Sequence, residues 1–134
     1  MAYEKQTWTD GTSIANAERL NHIEDGIYDN AIENGNNTNG KYIKFNDGTL
    51  ICYTRLETTA SGDTGGIFDS WTFPVEFNDI PNVQATNLYY ATPNIYNSVG
   101  ITTKTTTDIY WRYAGSGTVT GTVSVNVMAI GRWK

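Results

Sequence analysis

A chain of 134 residues has room for one β domain and a small appendage, but not for two full domains. Its 14 acidic residues outnumber 9 basic ones, and a net charge of -5 argues against duplex nucleic acid or anionic lipid as a partner. Aromatics at 13% exclude a disordered chain, and no apolar run reaches the roughly 20 residues that cross a bilayer, so membrane insertion is not expected.

Residues 1–15 read as irregular, with Tyr3 and Trp8 as large apolar anchors and Asp10-Gly11 as a turn. They lack the apolar core of a signal peptide, so synthesis in a cytoplasm is expected. Residues 16–34 predict a helix. Asn16 is placed as its N-cap, Glu18 suits the helix dipole in the first turn, and Gly35 suits a C-terminal stop. Leu20, Ile23 and Ile27 follow an a, d, a spacing, continued by Asn30 or Ala31. So narrow a stripe on so short a helix is marginal alone and must pack on something. Either it lies on its own β domain, or it joins copies of itself in a bundle, for which an a/d seam is suited.

The polar, turn-rich tract 35–40 reads as a linker, giving an N-terminal attachment segment and trimerising helix over 1–35, a linker over 36–40 and a β head over 41–134. In the head, residues 42–45 alternate and run into Asn46-Asp47-Gly48-Thr49, a strong hairpin signal, with 50–56 as the return strand. A flexible glycine loop is expected over 58–66. Further strands are expected at 71–73, 75–77, 82–90, 99–103, 108–113 and 118–130. In the last, Val119, Val123, Val125, Val127 and Ala129 share one face if the strand is regular. The fold class is therefore mainly β: a short N-terminal helix followed by an antiparallel, sandwich-like head, with a small barrel as the other closure.

Chemistry-bearing groups are sparse. Cys52 is the single cysteine and alternates within a strand, so it reads as a small buried hydrophobe and no internal disulfide can form. His22 is the single histidine and lies on the predicted helix, which leaves no Ser-His-Asp or Cys-His pair in the head and no set of metal ligands. No phosphate-cradling motif is present, so no cofactor, metal or catalytic residue is assigned. A pair of head carboxylates could hydrolyse a glycan, but sequence places no two of them at working distance.

The aromatics say more. Trp71, Phe73 and Phe77 read mainly as core. Tyr89, Tyr90, Tyr96, Tyr110, Trp111 and Tyr113 cluster where strands meet loops, and flat amphipathic rings suit stacking on sugars or a protein patch. Tyr89-Tyr90 and Tyr110-Trp111 point to opposite faces if extended, so one of each pair should face outward. The candidate ligand set is Tyr89, Tyr90, Tyr96, Trp111, Tyr113 and Asn94, with Asn97 and Ser98 beside them. The candidate trimerisation set is Leu20, Ile23 and Ile27.

Two stretches resemble bacteriophage structural proteins. Trp8-Thr-Asp-Gly11 through Ala17-Glu-Arg-Leu-Asn-His-Ile-Glu-Asp-Gly-Ile27 is similar to the opening of tail-fibre, head-fibre and baseplate proteins from phages of Gram-positive hosts. Asn39 to Tyr53, Trp71-Thr-Phe-Pro-Val-Glu-Phe77 and Met128-Ala-Ile-Gly-Arg-Trp133 resemble the C-terminal tip domain of phage tail fibres. The resemblance implies a non-enzymatic homotrimer on the virion, with the helices as a short three-stranded coiled coil. It would attach to other phage structural proteins through its N-terminus and bind the host surface, commonly a glycan, through its head. The lack of a shaft fits a structural or decorative head fibre without a dedicated receptor equally well; a glycan-degrading spike is the more distant alternative.

Overall fold

The computed structural model describes residues 17–29, 32–64, 66–89, 97–115 and 118–134. The order of elements is α1 (Ala17–Asp29), β1 (Ile32–Asn37), β2 (Gly40–Phe45), β3 (Thr49–Thr64), β4 (Ile67–Thr72), β5 (Asn82–Tyr89), β6 (Asn97–Lys104), β7 (Asp108–Gly115) and β8 (Thr118–Arg132). The strands form two antiparallel sheets. One has five strands in the order β1-β2-β3-β8-β5, and the other has three in the order β4-β7-β6.

Alternation builds the core. Val119, Val123, Val125, Val127 and Ala129 of β8 are buried on one face, as their period-2 spacing predicts, with Leu50, Cys52 and Ala60 of β3 beside them. Ile67, Trp71, Ile109, Trp111 and Tyr113 face them from the smaller sheet, and one buried cluster joins both layers. Trp71, Phe73 and Phe77 close one end as expected, edge to face, with successive ring centroids 5.0 Å apart.

Three expectations change. The helix ends at Asp29, short of 34, and residues 32–37 form β1, so the tract expected as a linker belongs to the first hairpin of the head. Asn37 and Gly40 close that hairpin around Thr38-Asn39, and the Asn37 side chain accepts from the Asn39 N–H at 2.9 Å. The stretch 58–66 is not a flexible loop. β3 runs through it to Thr64, and Gly66 (φ +104°) carries the chain into the second sheet. A Cβ on Gly66 would run into the carbonyl of Tyr113, so the glycine marks a close approach of two backbones. Residues 75–77 form no strand; they belong to the connection after β4, tied down by Phe73 N–H and Phe77 N–H donating to the carbonyls of Thr107 and Thr106 at 2.8 and 2.9 Å.

The Asp47-Gly48 turn is where expected. Gly48 takes φ +95°, its N–H donates to Phe45 O at 3.0 Å, and Asp47 accepts from the Thr49 N–H at 2.7 Å. That N–H, together with the Thr49 hydroxyl, holds the Asp47 carboxyl below its usual pKa. The chain end then docks on this turn. Trp133 Nε1 donates to Phe45 O at 2.9 Å, Trp133 N–H to Gly48 O at 3.0 Å, and the Arg132 guanidinium to Asp47 O.

Candidate functional site

The two outward sheet faces differ in chemistry. On the five-stranded sheet, register places Ile43, Ile51 and Ile130 side by side across β2, β3 and β8, and Lys41, Tyr53, Met128 and Gln84 in the next row. Ile32 adds to the same face from β1, opposite Phe45. Ile32, Tyr53, Met128 and Ile130 are all exposed. A groove of about 620 Å³, lined by Lys41, Tyr53, Arg55, Gln84, Asn126 and Met128 among others, runs beside this band. The cause is visible in the sequence. Leu50-Ile-Cys-Tyr53 and Val127-Met-Ala-Ile130 are continuous apolar runs rather than alternating ones, as in strands covered on both faces. Among the described residues, Ile130 is exposed on the outward one of those faces and Ile43 and Ile51 are half-buried there.

The outward face of the three-stranded sheet is aromatic and cationic. Phe68 of β4, Arg112 of β7 and Gly100 of β6 form one row, and Ser70, Tyr110 and Thr103 the next. Phe68 is 66% exposed and Tyr110 53% exposed. The Arg112 guanidinium lies over the Phe68 ring, 4.9 Å from its centroid. A Cβ built on Gly100 meets nothing within 4 Å, so open space borders the stack on the β6 side.

Of the sequence-derived ligand residues, Trp111 and Tyr113 are corrected. At 1% and 0% exposure they are core residues and offer no face to a ligand. Alternation did separate the pair Tyr110-Trp111, with the tyrosine outward and the tryptophan inward. Tyr89 ends β5, though its side chain lies outside the described residues, as do Tyr90, Asn94 and Tyr96 entirely. Phe68 was missed because no strand was expected between the glycine loop ending at 66 and residue 71, whereas β4 begins at Ile67. Counting period 2 back from the buried Trp71 places Phe68 outward.

Leu20, Ile23 and Ile27 are carried by α1. Leu20 and Ile27 are 52% and 67% exposed, so the sheets do not cover the seam. Cys52 is buried against Val75 O at 3.8 Å, and burial pushes its thiol up to about 11. Most head carboxylates have local partners. Asp69 accepts from Thr58 Oγ1 at 2.7 Å, Asp108 from Thr105 Oγ1 at 2.9 Å, and Glu57 pairs with Arg55 at 2.9 Å.

The fold is thus that of a two-sheet antiparallel β head with a short helix ahead of it. It is also the fold of R-type pyocin tail fibres. An N-truncated R1-type pyocin tail fibre superposes with a TM-score of 0.65 at 19% identity, over 90% of this chain and 98% of that one. The C-terminal part of the Pseudomonas aeruginosa R1 pyocin fibre matches at 0.63 and 14% identity, over 96% of this chain, which spans 40% of that one. A selenomethionine structure of an N-truncated R2-type pyocin tail fibre matches at 0.59 and 14% identity, over 98% of this chain and 57% of that one. No family model and no curated protein matches the sequence.

Proposed function

We propose that this chain is a virion fibre protein of a bacteriophage-type particle that self-associates as a trimer and attaches to the host cell surface through its β head, without enzymatic turnover. The observation that carries the reading is the match to the R1-type pyocin tail fibre across nearly the full length of both chains. Two apolar surfaces support the trimer. Among the described residues, Leu20 and Ile27 of the α1 seam and Ile130 of the Ile43–Ile51–Ile130 band are exposed, and contiguous exposed apolar patches mark association sites. Ile32 follows Ile27 by five residues, so chains that zip along α1 bring their bands toward a common axis. Binding without turnover is supported by the structural partners of Asp47, Glu57, Asp69 and Asp108.

The test is light scattering followed by adsorption. The purified chain is expected at about three times its 14.9 kDa mass and to bind a subset of a bacterial strain panel saturably. A trimer that adsorbs to no strain points to the decorative fibre instead. A monomer at high concentration sinks the reading, and release of sugar from wall extracts sinks its non-enzymatic part.

A further inference from the structure

We infer that the polar half of the five-stranded sheet's outward face is a binding groove for an oligosaccharide with an anionic substituent, one sugar ring lying on Tyr53 and its negative group meeting Lys41. The inference rests on the attachment reading above and names the site and ligand class within it.

Register divides that face along the strands. The row Asn34–Ile43–Ile51–Ile130 lies toward Ile32, the first residue of the sheet, and is largely aliphatic. One pleat further on, roughly 7 Å along the strands, the row is Lys41–Tyr53–Met128–Gln84, and the next is Arg55–Asn126–Thr86. The groove of about 620 Å³ belongs to these two rows. A second hollow of about 430 Å³ lies on the β1 side and shares Lys41 and Tyr53 with it. Both volumes fall within the range of small-ligand clefts. The aliphatic row proposed to join copies is one row away, so the groove sits at the rim of that contact.

Three features fix the chemistry of the occupant. The first is charge. Among the described residues, the two hollows are lined by the cations Lys41 and Arg55 and by no carboxylate, in a chain of net charge -5. Arg55 is engaged, donating to Glu57 at 2.9 Å and to Ser124 Oγ at 3.1 Å. Glu33 is paired with Lys44. The exposed ammonium of Lys41 makes no ion pair among the described residues, and it stands where the two hollows meet. A cation so placed favours an anionic partner, and a compact ammonium takes a carboxylate or a phosphate alike.

The second feature is a flat ring with uncharged hydrogen-bonding groups beside it. Tyr53 is 38% exposed, and aromatic faces stack on the C–H faces of a sugar. The exposed amides of Gln84 and Asn126 and the hydroxyl of Thr86 offer both donors and acceptors, from strands roughly 5 Å apart. Sugar hydroxyls donate and accept in the same way, whereas a bare anion would use Lys41 alone.

The third feature is the floor. β2, β3 and β8 are each paired on both sides, so the backbone beneath the groove has no open ladder for an extended peptide to join. Recognition there falls to side chains.

The test is calorimetry on the purified full-length chain. Oligogalacturonides serve as carboxylate-bearing probes, glucose 6-phosphate as a phosphate-bearing one, maltooligosaccharides as neutral ones and inorganic phosphate as a bare anion. Wild type is expected to bind at least one anionic sugar, and to bind the neutral sugar and inorganic phosphate about tenfold more weakly; the better of the two anionic probes names the substituent. Lys41→Gln should erase the preference for anionic over neutral sugar. Tyr53→Ala should weaken binding by about tenfold, while Tyr53→Phe, which keeps the ring, should bind as wild type does. All three side chains are exposed, so each variant should keep the melting temperature and oligomeric state of wild type. Equal binding of anionic and neutral sugars, binding of none, or unaltered binding by Lys41→Gln or by Tyr53→Ala overturns the inference. If wild type adsorbs to cells and these variants adsorb equally, the groove fails while the fibre reading stands; if wild type adsorbs to no cell, the attachment reading itself fails.

Discussion

Single residues in this head are decided by which side of a strand they occupy. Tyr110 and Trp111 are chain neighbours of similar chemistry, yet one is 53% exposed and the other 1%. Truncating Trp111 therefore acts on stability. Trp111→Ala should cost about 3–5 kcal/mol in urea unfolding, and any loss of cell binding should track the unfolded fraction. Tyr110→Ala should change stability by less than about 1 kcal/mol. Cys52 gives a pH signature. Its folded pKa of about 11 lies above the ordinary value of 9.0, so the neutral thiol stabilises the fold fully below about 9, and that contribution is lost as pH rises through 11. Between about pH 8 and pH 10.5, wild type should lose more unfolding free energy than Cys52→Ala. Native Cys52 should also resist thiol reagents at pH 8 until urea is added.

At the level of elements, the motifs that resemble phage fibre tips prove to be junctions. The Asn46-Asp47-Gly48 turn and the Arg132-Trp133 end, far apart in sequence, bond to one another, and Trp71 Nε1 donates to Asn39 O at 2.7 Å between the first hairpin and the core. Trp133→Ala should cost about 1–3 kcal/mol through the lost Nε1 bond to Phe45 O, which keeps its bond from the Gly48 N–H, and through lost packing, read by denaturant titration. Gly66 is the other junction. Gly66→Ala meets both a left-handed φ and the Tyr113 carbonyl, so it should destabilise by at least about 2 kcal/mol and lower the thermal midpoint. Gly66 reads as part of a loop in the sequence, because a glycine that lets two backbones approach is written the same way as one that lets a chain wander.

For the whole molecule, the question is what covers the second face of the larger sheet. Ile43, Ile51 and Ile130 are adjacent across three strands, and no element of the described chain lies over them. Ile43→Asp together with Ile130→Asp should leave the chain folded, since neither residue belongs to the buried cluster, and should convert the proposed trimer to monomer in light scattering. Leu20→Asp with Ile27→Asp should weaken association less if the band contributes most of the buried surface. A double variant that remains trimeric with native stability would remove the band from the interface.

Sequence alone determined the mainly β class, the Asp47-Gly48 hairpin, the face of β8 that becomes core and the narrow seam of α1. Each of these is set by neighbours within a few residues, through period-2 alternation, turn chemistry or helical spacing. Tertiary structure alone decided that 32–37 joins the sheet, that 58–64 continues β3, that Trp111 and Tyr113 turn inward, and that Phe68 meets Arg112 beside Gly100. Those outcomes depend on pairing between distant strands. Register across a sheet brings together residues whose separation in sequence carries no local mark, and it alone fixes which of two equally apolar neighbours the second layer will cover.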